Sequence, residues 1–176
     1  MEHTKVELDI SSEIKLQSLS VEHTKILFCC VQDSRASLEA VLPWVNDIQV
    51  ESDARRYIET RIHNSVGGLW SAIEFKQQFC GVFGIKYVDP KAQNAEVGYW
   101  LGAHARGHGI IGQVLTQVIA KLRAVSDIKS IEFQCLASNT ASQRIITKAG
   151  GQLIGSVTEQ TKTSGDEALY VYRLWL

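Results

Sequence analysis

The sequence predicts an α+β fold: a mixed, mostly antiparallel central sheet of about seven strands with helices on both faces, three layers in all. Three observations predict it. After two early strand-like runs, the first third of the chain carries helical spacing. The stretch that follows switches to aromatic and β-branched runs broken by short turns. Beyond it, a long amphipathic helix, a strand, a second helix and a closing pair of strands supply the other half of a mixed sheet.

Taken in order, residues 6–20, VELDISSEIKLQSLS, read as one or two strands. VEHTKILFCCVQDSR reads as a helix, and SLEAVLPWV as a second, short apolar one. A third is expected in ESDARRYIETRIHN, with Ser52 as N-cap and Ala54, Tyr57, Ile58, Arg61 and Ile62 on one face. LWSAIEFK, QFCGVFGIKYV and NAEVGYWLG, jointed by QQ and DPKAQ, form an antiparallel meander. The long helix, from about 109 to 125, turns Ile111, Val114, Leu115, Val118, Ile119, Leu122 and Val125 inward and leaves Gln113, Thr116, Gln117, Lys121 and Arg123 wet. A strand SIEFQCLA, a helix from about 140 to 149 and the strands GQLIGSVTEQ and EALYVYRLWL close the chain.

With 176 residues, 45% hydrophobic and 21% charged, the chain suffices for one sizeable core, and residues 1–176 are expected to form one domain. A net charge of −1 argues against a partner bound mainly through phosphate neutralisation, so nucleic acid is not expected. None of Cys29, Cys30, Cys80 and Cys135 stand in C-x-x-C spacing, which suits reduced thiols. MEHTKVELDI has no basic-then-apolar signal segment, and no apolar run approaches the 18 or so residues of a membrane span. A cytoplasmic protein without a membrane partner is the expectation; monomer and homodimer stay open.

Gly107, Gly109 and Gly112 stand in G-x-G-x-x-G spacing at the start of the long helix. First-turn amides there have no helical acceptor and the helix dipole adds positive potential, so a phosphate would be stabilised without any lysine. The spacing alone fits a phosphate cradle or a plain turn into a helix equally. A Rossmann fingerprint fails, because GAHAR separates Leu101 from Gly107 and the next strand ends in CLAS instead of an acidic residue. A Walker loop fails because no Gly-Lys-Ser/Thr follows. His104 and His108 would converge on a metal only from a helix, and glycines flank them, so no metal is expected.

NAEVGYWLGAHARGHGIIGQVLTQVI, followed by SNTASQRIITKAGGQLIG, resembles the two cofactor-binding motifs of the GNAT superfamily of N-acetyltransferases, within the branch that acetylates the N-terminal serine or alanine of ribosomal proteins. The resemblance runs nearly end to end. The family loop, Q/R-x-x-G-x-G/A, matches Arg106, Gly107, His108, Gly109, Ile110 and Ile111, with Ile111 departing from the usual small residue. The resemblance implies an acetyl-CoA site between parallel strands 94–102 and 130–137, with pantetheine along Trp100 and Leu101 and the pyrophosphate on the amides of 106–111. Arg106 would add a charge-assisted contact.

Asn139 is a good N-cap on its own chemistry, and Ser142 a wet first-turn serine. The resemblance further implies that Asn139 lies against acetyl-CoA and that Ser142 protonates the departing thiolate. For the proton of the attacking amine it points to Glu159, with Glu96, on a strand face with Gly98 and Trp100, as second choice. Trp44 resembles a residue of the acceptor entrance, and Tyr99 and Trp70 belong to core or groove. Arg55, Arg56 and Arg61 are the scattered cations available to an acidic substrate. The implied partner is the N-terminus of a ribosomal or other protein; a small amine (polyamine, amino acid or aminoglycoside) and a non-catalytic acyl-CoA sensor are the alternatives.

Overall fold

A computed structural model describes residues 7–64, 68–161 and 165–176. Its strands are β1 (Glu7–Asp9), β2 (Ile14–Ser18), β3 (Leu69–Phe75), β4 (Gln78–Asp89), β5 (Asn94–Leu101), β6 (Ser130–Leu136), β7 (Gln152–Thr161) and β8 (Gly165–Trp175). The helices are α1 (Thr24–Leu38), α2 (Glu51–Asn64), α3 (Ile110–Val125) and α4 (Thr140–Lys148). The eight strands form one sheet in the order β1-β2-β3-β4-β5-β6-β8-β7, antiparallel throughout except for β5 and β6.

The count is eight, the first run, expected as one or two strands, forming two. Ser11 Oγ accepts the N–H groups of Glu13 and Ile14 at 3.3 and 3.2 Å, turning the chain between β1 and β2. Val6, where that run was expected to begin, lies outside the described residues.

Two helix expectations are corrected. SLEAVLPWV is not a second α-helix: its first residues end α1, and Pro43–Asp47 form a 3-10 turn. Pro43 has no N–H and forces Leu42 into an extended φ of −132°, which the α-helix cannot cross. Ser52 does not cap α2; it lies inside the helix, and Asp53 instead reaches back, Oδ2 accepting the N–H groups of Gln49 at 3.0 Å and Val50 at 3.1 Å.

Each face of the sheet carries its own core. Phe83, Val97, Ile131 and Phe133 pack against Ile110, Ile111, Val114 and Leu115 of α3 and Ile146 of α4. Ala72, Val82 and Trp100 pack against Leu27, Val31 and Leu38 of α1 and Ala54 and Ile58 of α2. The apolar stripe of α3 stops short of its expected end: Val125 is 73% exposed, and Ser126 closes the helix by donating both its N–H and hydroxyl to the Leu122 carbonyl. Strand alternation lets β5 serve both cores, Val97 and Tyr99 on one side and Trp100 on the other.

Candidate functional site

The parallel pair comes apart where the chemistry is expected. β5 and β6 are in register from Asn94 opposite Ser130 to Val97 opposite Phe133 and no further, although β5 continues to Leu101 and β6 to Leu136. The gap opens into a cavity of about 830 Å³ lined by the end of β5, the glycine loop, the first turns of α3 and α4, and Ser37, Leu38, Val41 and Leu42 at the end of α1.

The loop owes its shape to two glycines in the left-handed region, Gly107 (φ 81°) and Gly109 (φ 68°), the latter being the N-cap of α3. The first helical bond runs from Gln113 N–H to the Gly109 carbonyl at 3.1 Å, so the amides of Ile110, Ile111 and Gly112 are first-turn donors without a helical acceptor. A Cβ added at Gly107, Gly109 or Gly112 would meet nothing within 4 Å. The space needed by a diphosphate is therefore open. Ile111 does not close it: its side chain, like that of Ile110, is buried in the core under α3, and Gly112, which follows it on the cavity lining, carries no side chain.

Arg106 lines this cavity, and its Nε and Nη2 donate to the Leu101 carbonyl at 3.2 and 3.1 Å. Partial burial lowers its pKa from the usual guanidinium value, yet it stays a cation. His108 does not line the cavity; its ring packs 5.0 Å from that of Phe75. His104 is exposed, and among the described residues no group of three or more His, Cys, Asp or Glu side chains could hold a metal ion. Trp100 offers the groove only its backbone: its indole is 6% exposed on the opposite face, where Nε1 donates to the Tyr57 hydroxyl at 3.0 Å.

Across the gap, Asn139 caps α4 as its residue type predicts, Oδ1 accepting the Ser142 N–H at 3.1 Å. That bond fixes the first turn, and Gln143 Nε2 ties it to the Ala137 carbonyl at 2.8 Å. Ser142 Oγ then lies 3.0 Å from the Tyr99 hydroxyl. Burial raises the pKa of Tyr99, so the phenol keeps its proton. Cys135 is beside them, its thiol pKa raised by burial and partly offset by Ser142.

A second cavity of about 320 Å³ lies on the far side of this pair, lined by Trp44, Lys86, Gly98, Gln134 and Leu169 among others. Val41, Leu42, Tyr99, Asn139 and Ser142 line both cavities, so Tyr99 and Ser142 stand at the partition. Trp44 stacks 4.6 Å from the ring of Tyr57. Glu96 is bonded to the Lys86 ammonium, and the stem of Lys86 covers Gly98, a Cβ on which would lie 3.0 Å from Lys86 Cδ. Glu159 pairs with Glu167 in the β7–β8 ladder; its side chain lies outside the described residues.

Sequence reasoning missed the α1 wall, since Leu38 and Val41 look like ordinary helix residues until the tertiary fold brings them to the groove. Thr116 was within reach: it follows Gly112 by one helical turn, lines the same cavity, and donates its hydroxyl to the Gly112 carbonyl at 2.9 Å. Lys148, Lys86 and Gln134 had no local signal.

Residues 14–152 match the family described as the acetyltransferase (GNAT) domain. The chain is similar to a ribosomal-protein-serine acetyltransferase of Escherichia coli (strain K12), 23% identical over 154 residues that cover 86% of each chain. Among solved structures it resembles RimL, a ribosomal L7/L12 α-N-protein acetyltransferase in complex with coenzyme A, with a TM-score of 0.88 and 21% identity over 97% of this chain and 98% of that one. It also resembles the microcin C7 self-immunity acetyltransferase MccE in complex with acetyl-CoA and AMP, with a TM-score of 0.87 and 21% identity over 95% and 94% of the two chains. With the family match spanning most of its length and the same fold recurring in these enzymes, the chain belongs to the GNAT acetyltransferases.

Proposed function

We propose that this protein transfers the acetyl group of acetyl-CoA directly to the N-terminal α-amine of a protein acceptor beginning with serine or alanine, a ribosomal protein foremost. The observation that carries the reading is the partition: a hydrogen-bonded Tyr99–Ser142 pair between a large cavity ending on a helix N-terminus and a smaller one walled by Trp44. Kinship with ribosomal-protein-serine acetyltransferases supports the choice of acceptor.

The roles combine the family resemblance with the positions of the lining residues. Backbone amides of the 107–112 segment hold the diphosphate, with Arg106 adding charge, and the backbone of Trp100 and Leu101 together with Asn139 guides the pantetheine arm. This sets the thioester at Ser142, with the acceptor amine entering from the smaller cavity past Trp44 and Tyr99. The amine nitrogen bonds to the thioester carbonyl carbon; the C–S bond then breaks with its electron pair on sulfur, and Ser142 Oγ–H supplies the proton to that sulfur. A protein α-amine has a pKa of about 7.7 to 8.0, so the proton it loses needs only a carboxylate or a water as acceptor. The family resemblance assigns that part to Glu159, with Glu96, held by Lys86, as second choice.

Direct transfer accords with the thiol at the site. Burial raises the pKa of Cys135, the cysteine that lines the smaller cavity, which leaves little thiolate there for an acyl-enzyme; Cys29 is exposed but lines neither cavity. The test is acetyl transfer followed by mass with a panel of Ser- and Ala-initiated peptides beside a panel of polyamines, amino acids and aminoglycosides. Turnover of peptides supports the proposal; turnover of small amines alone, or coenzyme A binding with no transfer, overturns it.

A further inference from the structure

The three arginines of α2 meet different fates. Arg55 bonds Glu59 at 2.8 Å and Arg56 bonds Asp53 at 2.7 Å, exposed pairs of the kind that contribute little to stability. Arg61 turns inward. Its guanidinium carbon lies 3.3 Å from the ring centroid of Tyr57, 5.1 Å from Trp70 and 5.7 Å from Trp44. Nη1 donates to the Tyr57 carbonyl at 3.1 Å, Nε is buried without a hydrogen-bond partner, and no carboxylate among the described residues pairs with the side chain. Three aromatic faces offset part of the cost of desolvating a guanidinium, but a largely buried cation normally also has a counter-ion. Among the described residues no carboxylate fills that place.

The aromatic box adjoins the acceptor side of the site. Trp44 is both a wall of the smaller cavity and a wall of the box. Trp70 covers Gly84, where a Cβ would run into its ring, and Gly84 is opposite Gly98, which lines the same cavity. Arg61 itself lines neither cavity, so Trp44 is the link between the box and the acceptor side. Lys86, a cation that lines the smaller cavity, is bonded to Glu96.

We infer that Arg61 forms a subsite for an acidic side chain of the acceptor, within the first few residues after the reacting amine. The inference rests on the protein-N-terminus reading given above and adds what that reading leaves open, the acceptor's own sequence. The guanidinium offers a carboxylate its remaining Nη N–H donors in a partly desolvated place, and a neutral or basic residue there leaves the cation uncompensated, which is how such a site discriminates.

The experiment uses Ser-initiated peptides in pairs that differ only by Glu against Gln at each of the second to fifth positions. The wild-type protein, Arg61→Lys and Arg61→Met are compared by kcat/KM. Wild type is expected to favour Glu at one of these positions about tenfold or more, mainly through KM, with the preference shrinking as salt rises. Arg61→Met brings that Glu/Gln ratio close to one, whatever it does to the rate common to both peptides, and Arg61→Lys keeps part of it. A wild-type ratio near one at every position, or a ratio unchanged in Arg61→Met, overturns the subsite and makes Arg61 a prop for the aromatic box. Peptides acetylated without preference sink the subsite alone; no peptide acetylated at all sinks the acceptor reading and the subsite with it.

Discussion

The hydroxyl of Tyr99 lies 3.0 Å from Oγ of Ser142, joining the end of β5 to the first turn of α4 across the point where the two parallel strands have parted. Neither residue would hold the other in place without that geometry. Either hydroxyl can donate in this bond; with the phenol as donor, Ser142 would keep its own proton for a leaving sulfur.

Ser142→Ala is expected to lower kcat by about 10²- to 10³-fold, the usual loss when a transition-state proton donor is removed, while coenzyme A still binds. Tyr99→Phe, which keeps the ring and loses the donor, should lower kcat by roughly tenfold with KM for acetyl-CoA little changed. Steady-state kinetics together with calorimetry of coenzyme A binding check both; unchanged turnover in Ser142→Ala would remove Ser142 from the chemistry.

Gly112→Leu separates folding from ligand binding. Nothing lies within 4 Å of a Cβ at this position, and an α-helix gains up to about 1 kcal/mol when glycine is replaced, so the variant should fold with an unchanged or raised Tm. The same side chain projects into the larger cavity and should weaken coenzyme A binding by at least about tenfold. Retained affinity would mean that the diphosphate does not sit over the first turn of α3.

Trp100→Phe tests the opposite face of the same strand. It leaves the Tyr57 hydroxyl without the indole donor that reaches it at 3.0 Å inside the core, at a cost of about 1–3 kcal/mol. Because the side chain is away from the groove, the loss should be read in chemical denaturation, with KM for acetyl-CoA nearly unchanged.

Asp53 makes one part of the stability depend on pH. The N–H groups of Gln49 and Val50, and after them Arg56, hold its carboxyl below the ordinary carboxylate value. A depressed folded-state pKa stabilises the protein above the unfolded value of about 3.9, and the contribution is lost as pH falls through the folded value. Asp53→Asn should therefore melt at a lower temperature than wild type at pH 7, with the gap closing only below about pH 4. Calorimetric melting from pH 3 to 7 checks it; a gap that widens in acid would contradict the assigned contacts.

Much of this molecule is legible along the chain because its determinants are local. The switch from helical spacing to β-branched runs located the meander, the stripe from Ile111 to Ile119 oriented α3, and Asn139 before TASQ marked the start of α4. The glycine loop was readable for the same reason, since positive φ at Gly107 and Gly109 is a property of single residues. Ser52 misled because several polar residues at a helix start can cap it, and the winner depends on the turn before it.

What the amino-acid sequence settled by itself is the order of the strands and of the α-helices other than the one expected at SLEAVLPWV, the loop that opens α3 and the family to which the chain belongs. Only the tertiary structure decided that β5 and β6 separate after Val97 and Phe133, that Tyr99 meets Ser142 forty-three positions away, and that Arg61, on the face it shares with Tyr57 and Ile58, packs against three aromatic rings. Backbone preferences and periodicity act over a few residues, whereas these contacts join segments that meet only after two cores have closed on opposite faces of one sheet.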